Sequence, residues 1–292
     1  MTDHATQPRV AYVTAEVDFL DPDPDFDLPD TVAALRAAGF DVEAPRWDDD
    51  SVDWASFDLV LVRSTWNYAA RRDQFVAWAK AVSTHSRLLN PADVIEDNTD
   101  KVYLERLIAA GVPVIPTQVL HPGQDIDWTR EPWASAAVIV VKPTVGAGAI
   151  GASRNDSRDA AAAAVRAHHA AGNTVLVQPY LNAVDTAGEV AIIVIDGEIS
   201  HAIKKVPALT VGGHGDPAAA VPITDDLRDV VAQVSAHVPE WDDLLYARVD
   251  VVPDGAGGYV LMELELTEPA LFFTHDEGST QRFVDAVVRR LQ

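Results

Sequence analysis

The chain has 292 residues, nearly half of them hydrophobic, which is enough apolar material for the cores of two or three small lobes. Lys and Arg total 22 against 45 Asp and Glu, a formal charge of −23, so a polyanion such as nucleic acid is repelled and no local basic patch offsets this. The absence of cysteine removes disulfides, zinc–thiolate sites and a cysteine nucleophile, and leaves oxygen or histidine as the metal ligands on offer.

The first residues, Met1-Thr2-Asp3-His4, lack a basic segment followed by an apolar stretch, and no apolar run approaches the roughly 18 to 20 residues of a membrane span. A cytoplasmic protein without a membrane partner is expected. In chain order, Val10 to Thr14, a helix from Thr31 to Ala38 closed by Gly39, Val42, and Leu59 to Val62 alternate strand with helix. That is the pattern of a small open α/β sheet, whose strand-end loops carry any chemistry. Arg71 to Val82 reads as an amphipathic helix, and Asn98 to Ala110 as another that ends at Gly111. Gln118 to Ser135 has no sustained period and reads as a linker. Ala137 to Lys142 is a buried strand, Asp156 to Ala171 an alanine-rich helix, and Val175 to Gln178 a further strand.

The runs Glu189 to Ile195 and Glu198 to Lys205 flank Asp196-Gly197, a dipeptide that favours a two-residue hairpin. Pro207 to Pro222, rich in glycine and proline, reads as a long loop. Tyr246 to Val252 and Tyr259 to Leu266 form the last strand pair, and a helix runs from about Ser279 to Leu291.

Two constellations carry chemistry. Lys142 at a strand end, followed by Pro143-Thr144-Val145-Gly146-Ala147-Gly148-Ala149-Ile150-Gly151, places one positive charge and several backbone N–H groups where a phosphate chain can lie. The loop is neither a Walker A sequence nor a Rossmann fingerprint; a tight glycine hairpin beside a snorkelling lysine is the plainer reading. The second constellation is Arg248 and Asp250 on one strand with Glu263 and Glu265 on the next. Residues two apart share a face, so three carboxylates and a guanidinium gather on one surface. Such charges repel unless cations sit among them, and magnesium takes this kind of oxygen ligation; a solvated outer face is the alternative. Arg63-Ser64-Thr65-Trp66-Asn67-Tyr68 follows an apolar strand and offers a guanidinium, hydroxyls and aromatic rings to a small amino-acid-like substrate, with Arg63, Ser64, Trp66 and Tyr68 as candidates. Equally, Trp66 and Tyr68 can pack under the next helix. Glu16 is a weaker candidate, His201, His214 and His275 are further pocket candidates, and His168 and His169 belong to an outer helix.

Taken in order, Lys101, Lys142 with its glycine loop, Gln178-Pro179-Tyr180-Leu181, Glu189, Arg248 with Asp250, and Glu263 with Glu265 resemble the succession of sites in the ATP-grasp superfamily, from about Asn90 to the C-terminus. The resemblance implies a mixed α/β (α+β) ATP-grasp fold. An N-terminal open α/β lobe over residues 1–96 would bind substrate, a small central α+β lobe over 97–182 nucleotide, and a C-terminal antiparallel-sheet lobe over 183–292 metal and nucleotide. It further implies that Lys101 and Lys142 contact the phosphates of ATP beneath the flexible loop of Gly146, Gly148 and Gly151. Gln178 with the backbone of Tyr180 and Leu181 would form the adenine hinge, and Glu189 would bind the ribose. Asp250, Glu263 and Glu265 would hold one or two magnesium ions, with manganese as a substitute, and Arg248 would stabilise the transferred phosphoryl group. Two departures stand out: Glu265 occupies a position that is asparagine in most of the superfamily, and Gln178 one that is often glutamate. The run Glu263 to Pro269 is similar to a subgroup of short bacterial ATP-grasp proteins that includes the cyclising ligase of D-cycloserine biosynthesis.

The implied reaction phosphorylates a carboxylate or equivalent oxygen and lets an amine displace the phosphate. The loop from Pro207 to Pro222 is expected to cover the intermediate, and Lys204 or Lys205 to neutralise it. A cyclising ligase and a non-catalytic nucleotide-binding protein are the rival readings. The oligomeric state stays open, with a homodimer as one candidate because dimers are common among proteins that resemble this one.

Overall fold

The computed structural model describes residues 7–16, 25–205, 209 and 218–291. Strand β1 (Arg9–Thr14) is buried at every position but its first, leaving no face for water, as suits a parallel strand covered on both sides. With β2 (Asp41–Glu43), β3 (Leu59–Ser64) and β4 (Arg87–Leu89) it forms an all-parallel sheet in the order β2-β1-β3-β4. Alternation divides the strands between two cores. Val10, Tyr12, Leu59 and Leu61 pack on the helices Leu28–Ala37 and Ser279–Leu291, while Ala11, Val13, Val60 and Val62 pack on Arg72–Val82.

A second sheet joins β5 (Gln118–Leu120), β6 (Ile139–Pro143), β7 (Ser153–Asn155) and β8 (Val175–Pro179), all antiparallel, in the order β5-β8-β6-β7. Ala161 and Val165 of helix Arg158–Ala170 cover Ile139, Val141, Val175 and Val177, and the Ser157 hydroxyl caps that helix by accepting from the Ala160 amide at 3.2 Å.

The third sheet is antiparallel in the order β11-β10-β9-β12-β13, built from β9 (Glu189–Ile195), β10 (Glu198–Lys205), β11 (Ala219–Val221), β12 (Tyr246–Pro253) and β13 (Tyr259–Glu265). Its central strand β9 is buried throughout. Val190, Ile192 and Val194 meet helix Asp225–Ser235; Ala191, Ile193 and Ile195 meet the C-terminal helix, which thereby joins this sheet to the first. Asp196 and Gly197 both have positive φ, 52° and 82°, the backbone a two-residue turn requires between twisted strands.

The sequence reading fails in places with identifiable causes. The single helix expected from Asn98 to Ala110 is two, Ala92–Asn98 and Tyr103–Ala109, because the Lys101 amide leaves the helical ladder and donates to the Thr144 carbonyl at 2.9 Å. Lys101 therefore sits in a turn. The expected linker opens with a strand, β5, whose Gln118 side chain both donates to and accepts from the Asp127 backbone. Within the expected loop Pro207 to Pro222, Ala219–Val221 is an edge strand, while residues 206–208 and 210–217, with His214, lie outside the described residues. Among the described residues no helix is long and apolar enough to cross a membrane.

Candidate active site

In the β12–β13 pair, Arg248 lies opposite Glu265 and Asp250 opposite Glu263, so all four side chains rise from one face. Arg248 grips Asp250 with two bonds of 2.9 Å, also reaches Glu265, and donates to the Ala270 carbonyl at 3.2 Å. From β10, Lys205 contributes an ammonium 3.1 Å from Asp250 and 2.6 Å from Glu189, its register partner on β9. Glu263 receives two lysines from elsewhere. Lys101 approaches one oxygen at 3.2 Å from the turn between helices, and Lys142 the other at 3.7 Å from the end of β6. The carboxylates of the third sheet thus meet Lys142 across a gap rather than facing water on the far side.

Electrostatics follow from this packing. Burial works against the Lys101 ammonium, but Glu263, aided by Glu265 and Glu268, outweighs it and lifts its pKa. Lys142 is lowered by burial and by Lys101, despite Glu263. Burial raises Glu263, yet the two lysines overcome that and hold it below the usual range. Asp250 is held low in the same way, with Arg248 and Lys205 outweighing burial. Burial pushes Glu189 up to about 7 against the pull of Lys205. It pushes Glu268 up to about 8 with Glu265 adding to the effect.

Two cavities flank this cluster. The first, about 440 Å³, is lined on one side by Ile115, Val140, Leu181, Val252 and Met262 and on the other by Lys101, Lys142, Lys205, Arg248 and their carboxylates. Gln178, Tyr180, Leu181 and Glu189 lie in its wall; Gln178 donates to the Thr117 hydroxyl at 2.9 Å, and the Tyr180 ring stacks under the Arg154 guanidinium at 4.0 Å. The second, about 720 Å³, is bounded by Trp66, Tyr68, Glu268, Phe272 and His275. Lys101, Gly146, Gly148, Arg248, Glu263 and Glu265 belong to both. Lys101 also fixes the glycine loop, donating to the Gly146 carbonyl at 2.6 Å. Gly148 turns with φ +60°, and Gly151, φ +78°, lies outside both linings, where a Cβ would meet the Pro143 ring at 3.3 Å.

The structure brings most of the sequence candidates together and separates others. Arg63 does not reach either cavity. Strand β3 continues through it, placing it on the same face as Leu59 and Leu61, where it stacks 4.7 Å from the Tyr246 ring centroid and donates to the Pro269 carbonyl at 2.9 Å. Ser64, the next residue, is buried and bonded to the Thr14 hydroxyl at 3.0 Å. Trp66 and Tyr68 do line the second cavity, and Tyr68 also stacks on Phe75 of the following helix at 5.0 Å. Lys204 points to the opposite face from Lys205 and is exposed, its stem lying along Gly188. Glu16 pairs with Arg46 at the surface, His201 is buried against the Leu271 carbonyl, and His275 lines the second cavity. Glu268 and Asn98, which line that cavity, were not singled out by the sequence; the acidic spacing Glu263, Glu265, Glu268 was the available signal.

The family description "prokaryotic glutathione synthetase, ATP-grasp domain" matches residues 109–274, more than half of the chain. The chain belongs to the ATP-grasp family. It is a member of a class of ATP-dependent enzymes that join a carboxylate to an amine. Residues 10–90 match the N-terminal domain of D-cycloserine synthetase DcsG. The cycloserine biosynthesis protein DcsG of Streptomyces lavendulae is 36% identical, over 92% of this chain and 95% of its own. A crystal structure of D-cycloserine synthetase DcsG superposes with a TM-score of 0.87 at 34% identity, over 97% of this chain and all of that one. The D-alanine–D-alanine ligase of Bacillus anthracis, crystallised with ATP, shares the fold at TM-score 0.68 and 14% identity, over 97% of both chains. Within this ATP-grasp enzyme, the two family matches fall on either side of the second cavity. Trp66 and Tyr68 belong to the first matched segment, and Glu263, Glu265 and Glu268 to the second.

Proposed function

We propose that the first cavity holds ATP, the second a small amino-acid-like substrate, and that phosphoryl transfer takes place at the wall they share. The observation that carries this reading is the membership of Lys101, Arg248, Glu263 and Glu265 in both cavities. A triphosphate whose base rests against Ile115, Leu181 and Met262 ends where those charges converge. Lys101 and Lys142 hold phosphate oxygens, the amides of Gly146 and Gly148 lie over them, and Gln178 with the Tyr180 and Leu181 backbone borders the base. Glu189 accepts from the ribose.

The donor set fits magnesium. Among the described residues no three carboxylates or histidines cage an ion with protein atoms alone, and magnesium ordinarily combines one or two carboxylates with water and phosphate oxygens. Asp250 already engages both oxygens with Arg248 and Lys205, so Glu263 and Glu265, which keep more exposed surface, are the first ligands. The ion would supply charge neutralisation on the transferred phosphoryl group. Arg248 faces the same oxygens, and Lys205, held by Asp250 and Glu189, faces the intermediate that the amine attacks.

Ring closure within one molecule is the version we favour, because the likeness to D-cycloserine synthetase runs through residues 10–90 as well as the nucleotide-binding part. Incubation with ATP, magnesium and a panel of small amino acids and acids, with and without hydroxylamine, tests the reading. Substrate-dependent ADP release is expected. A cyclising substrate gives product without added amine, whereas an intermolecular ligase requires it. ADP release that no acid stimulates would remove the acyl-phosphate scheme.

A further inference from the structure

Every described carboxyl group of the first cavity has an ion-pair partner, whereas Asp25, Asp27 and Glu268, which line only the second, have none among the described residues. Glu263 has Lys101 and Lys142, Asp250 has Arg248 and Lys205, Glu265 has Arg248, and Glu189 has Lys205. In the second cavity Asp27 accepts from the amides of Leu271 and Phe273 at 3.0 and 2.9 Å, and Asp25 from the Tyr12 hydroxyl at 2.8 Å. Glu268 is 8% exposed and lines the second cavity, and among the described residues it has no ion-pair partner; the Tyr68 hydroxyl alone is bonded to its carboxyl. Lys101 is near enough to be felt but is committed to Glu263 and the Gly146 carbonyl.

The position of Glu268 is set with care. The Trp66 indole donates to its carbonyl at 2.9 Å, Arg63 to that of Pro269, and Arg248 to that of Ala270. Asp27 then takes the amides of Leu271 and Phe273, so side chains from distant parts of the chain pin the backbone from 268 to 273. A segment held at this many points keeps one orientation for the side chain it presents. The second cavity is also acidic. Asp25, Asp27, Glu263, Glu265 and Glu268 line it against the permanent cations Lys101 and Arg248, both already engaged.

A buried carboxyl facing a cavity without a cation is costly unless something positive arrives. We infer that Glu268 is the specificity-determining residue that receives the primary ammonium of the substrate, with the Tyr68 hydroxyl fixing the carboxyl and the Trp66 indole its backbone. This rests on the ligase reading above and adds the substrate's charge to it: a small molecule carrying a free amine close to the oxygen that is phosphorylated.

The test pairs each amino compound that triggers ADP release with its N-acetyl and desamino counterparts, using wild type, Glu268→Gln and Glu268→Asp, with ADP affinity as the check on folding. Wild type should prefer the free amine at least ten-fold in kcat/KM, mainly through KM. Glu268→Gln should bring amino and desamino compounds close to parity, while Glu268→Asp keeps part of the preference. A purely structural role would lower turnover of both kinds of compound alike. Wild type turning over desamino compounds as well as their amino parents overturns the ammonium site and leaves the ligase reading standing; so does a Glu268→Gln enzyme that binds ADP normally and keeps the full preference.

Discussion

The two cavities share a wall but not a charge balance. Among the described residues, Lys101, Lys142, Lys205 and Arg248 face Glu189, Asp250, Glu263 and Glu265 in the first, four cations against four anions. In the second, again among the described residues, five carboxyl groups face two permanent cations. A balanced array in which each acid is already paired can exchange its partners for a phosphate chain and a divalent ion without exposing bare charge. An acidic cavity with an unmatched carboxyl instead selects a cation. One sheet face therefore supplies two kinds of recognition, and Glu263 stands where they meet.

The largest effect should come from breaking that junction. Glu263→Gln removes the anion that draws Lys101 and Lys142 together across the gap. Turnover should fall by about a thousand-fold, on the scale of losing a preorganised electrostatic group in an active site, with little change in the melting curve. ADP release measured beside thermal denaturation checks both halves; undiminished turnover would take Glu263 out of the chemistry. A smaller and more selective effect is expected for Lys142→Met. Lys142 lines only the first cavity, so KM for ATP should rise by roughly ten-fold or more while KM for the acceptor barely moves. Equal changes in both would mean that the two cavities do not act separately.

The charge difference also has a pH signature. Glu268 has its pKa raised to about 8 in the folded protein, by burial and then by Glu265. A carboxyl raised above its unfolded value of about 4.3 contributes stability that is fully present below that value and lost as pH rises through the folded pKa. The wild type without ligand should therefore lose stability between about pH 4.3 and 8 that Glu268→Gln does not lose. Below about pH 4 the two should melt alike. By pH 9 the variant should be the more stable, by something on the order of 5 kcal/mol at about 1.4 kcal/mol per pKa unit. Coincident melting curves across the whole range would show that the buried carboxyl ionises without cost.

What the sequence disclosed and what it hid divide along local and non-local causes. The Asp196-Gly197 turn fixed both ends of its hairpin, and the period-two placing of Arg248 with Asp250 and of Glu263 with Glu265 survived into the register of β12 and β13. Each of those features is decided within a few residues. Lys101, a site candidate from the sequence, lines both cavities, but the break in its helix was invisible, since the cause is a bond to Thr144, 43 positions along the chain. Arg63 misled for a related reason. An arginine following four apolar residues looks like a strand end, yet β3 runs on to Ser64 and turns that guanidinium onto Tyr246, a contact between two sheets. Glu268 follows the last strand, where no periodicity says which way a side chain faces, and only the pinning of its backbone by Trp66, Arg63 and Asp27 decides it.

The smallest expected effect separates two adjacent lysines. Strand alternation places Lys205 in the first cavity, 3.1 Å from Asp250 and 2.6 Å from Glu189, and sends Lys204 to the opposite face, exposed beside Gly188. Replacing Lys205 by alanine leaves Asp250 with Arg248 and takes from Glu189 its ion-pair partner among the described residues, so turnover should fall by about a hundred-fold. Replacing Lys204 should change kcat and both KM values by less than about two-fold, because an exposed lysine without an ion pair among the described residues contributes little. Steady-state kinetics of the two single variants settle the register of β10 directly: an active-site defect in Lys204→Ala with a silent Lys205→Ala would require the strand to be shifted by one residue, and with it every side chain that β10 turns toward the first cavity.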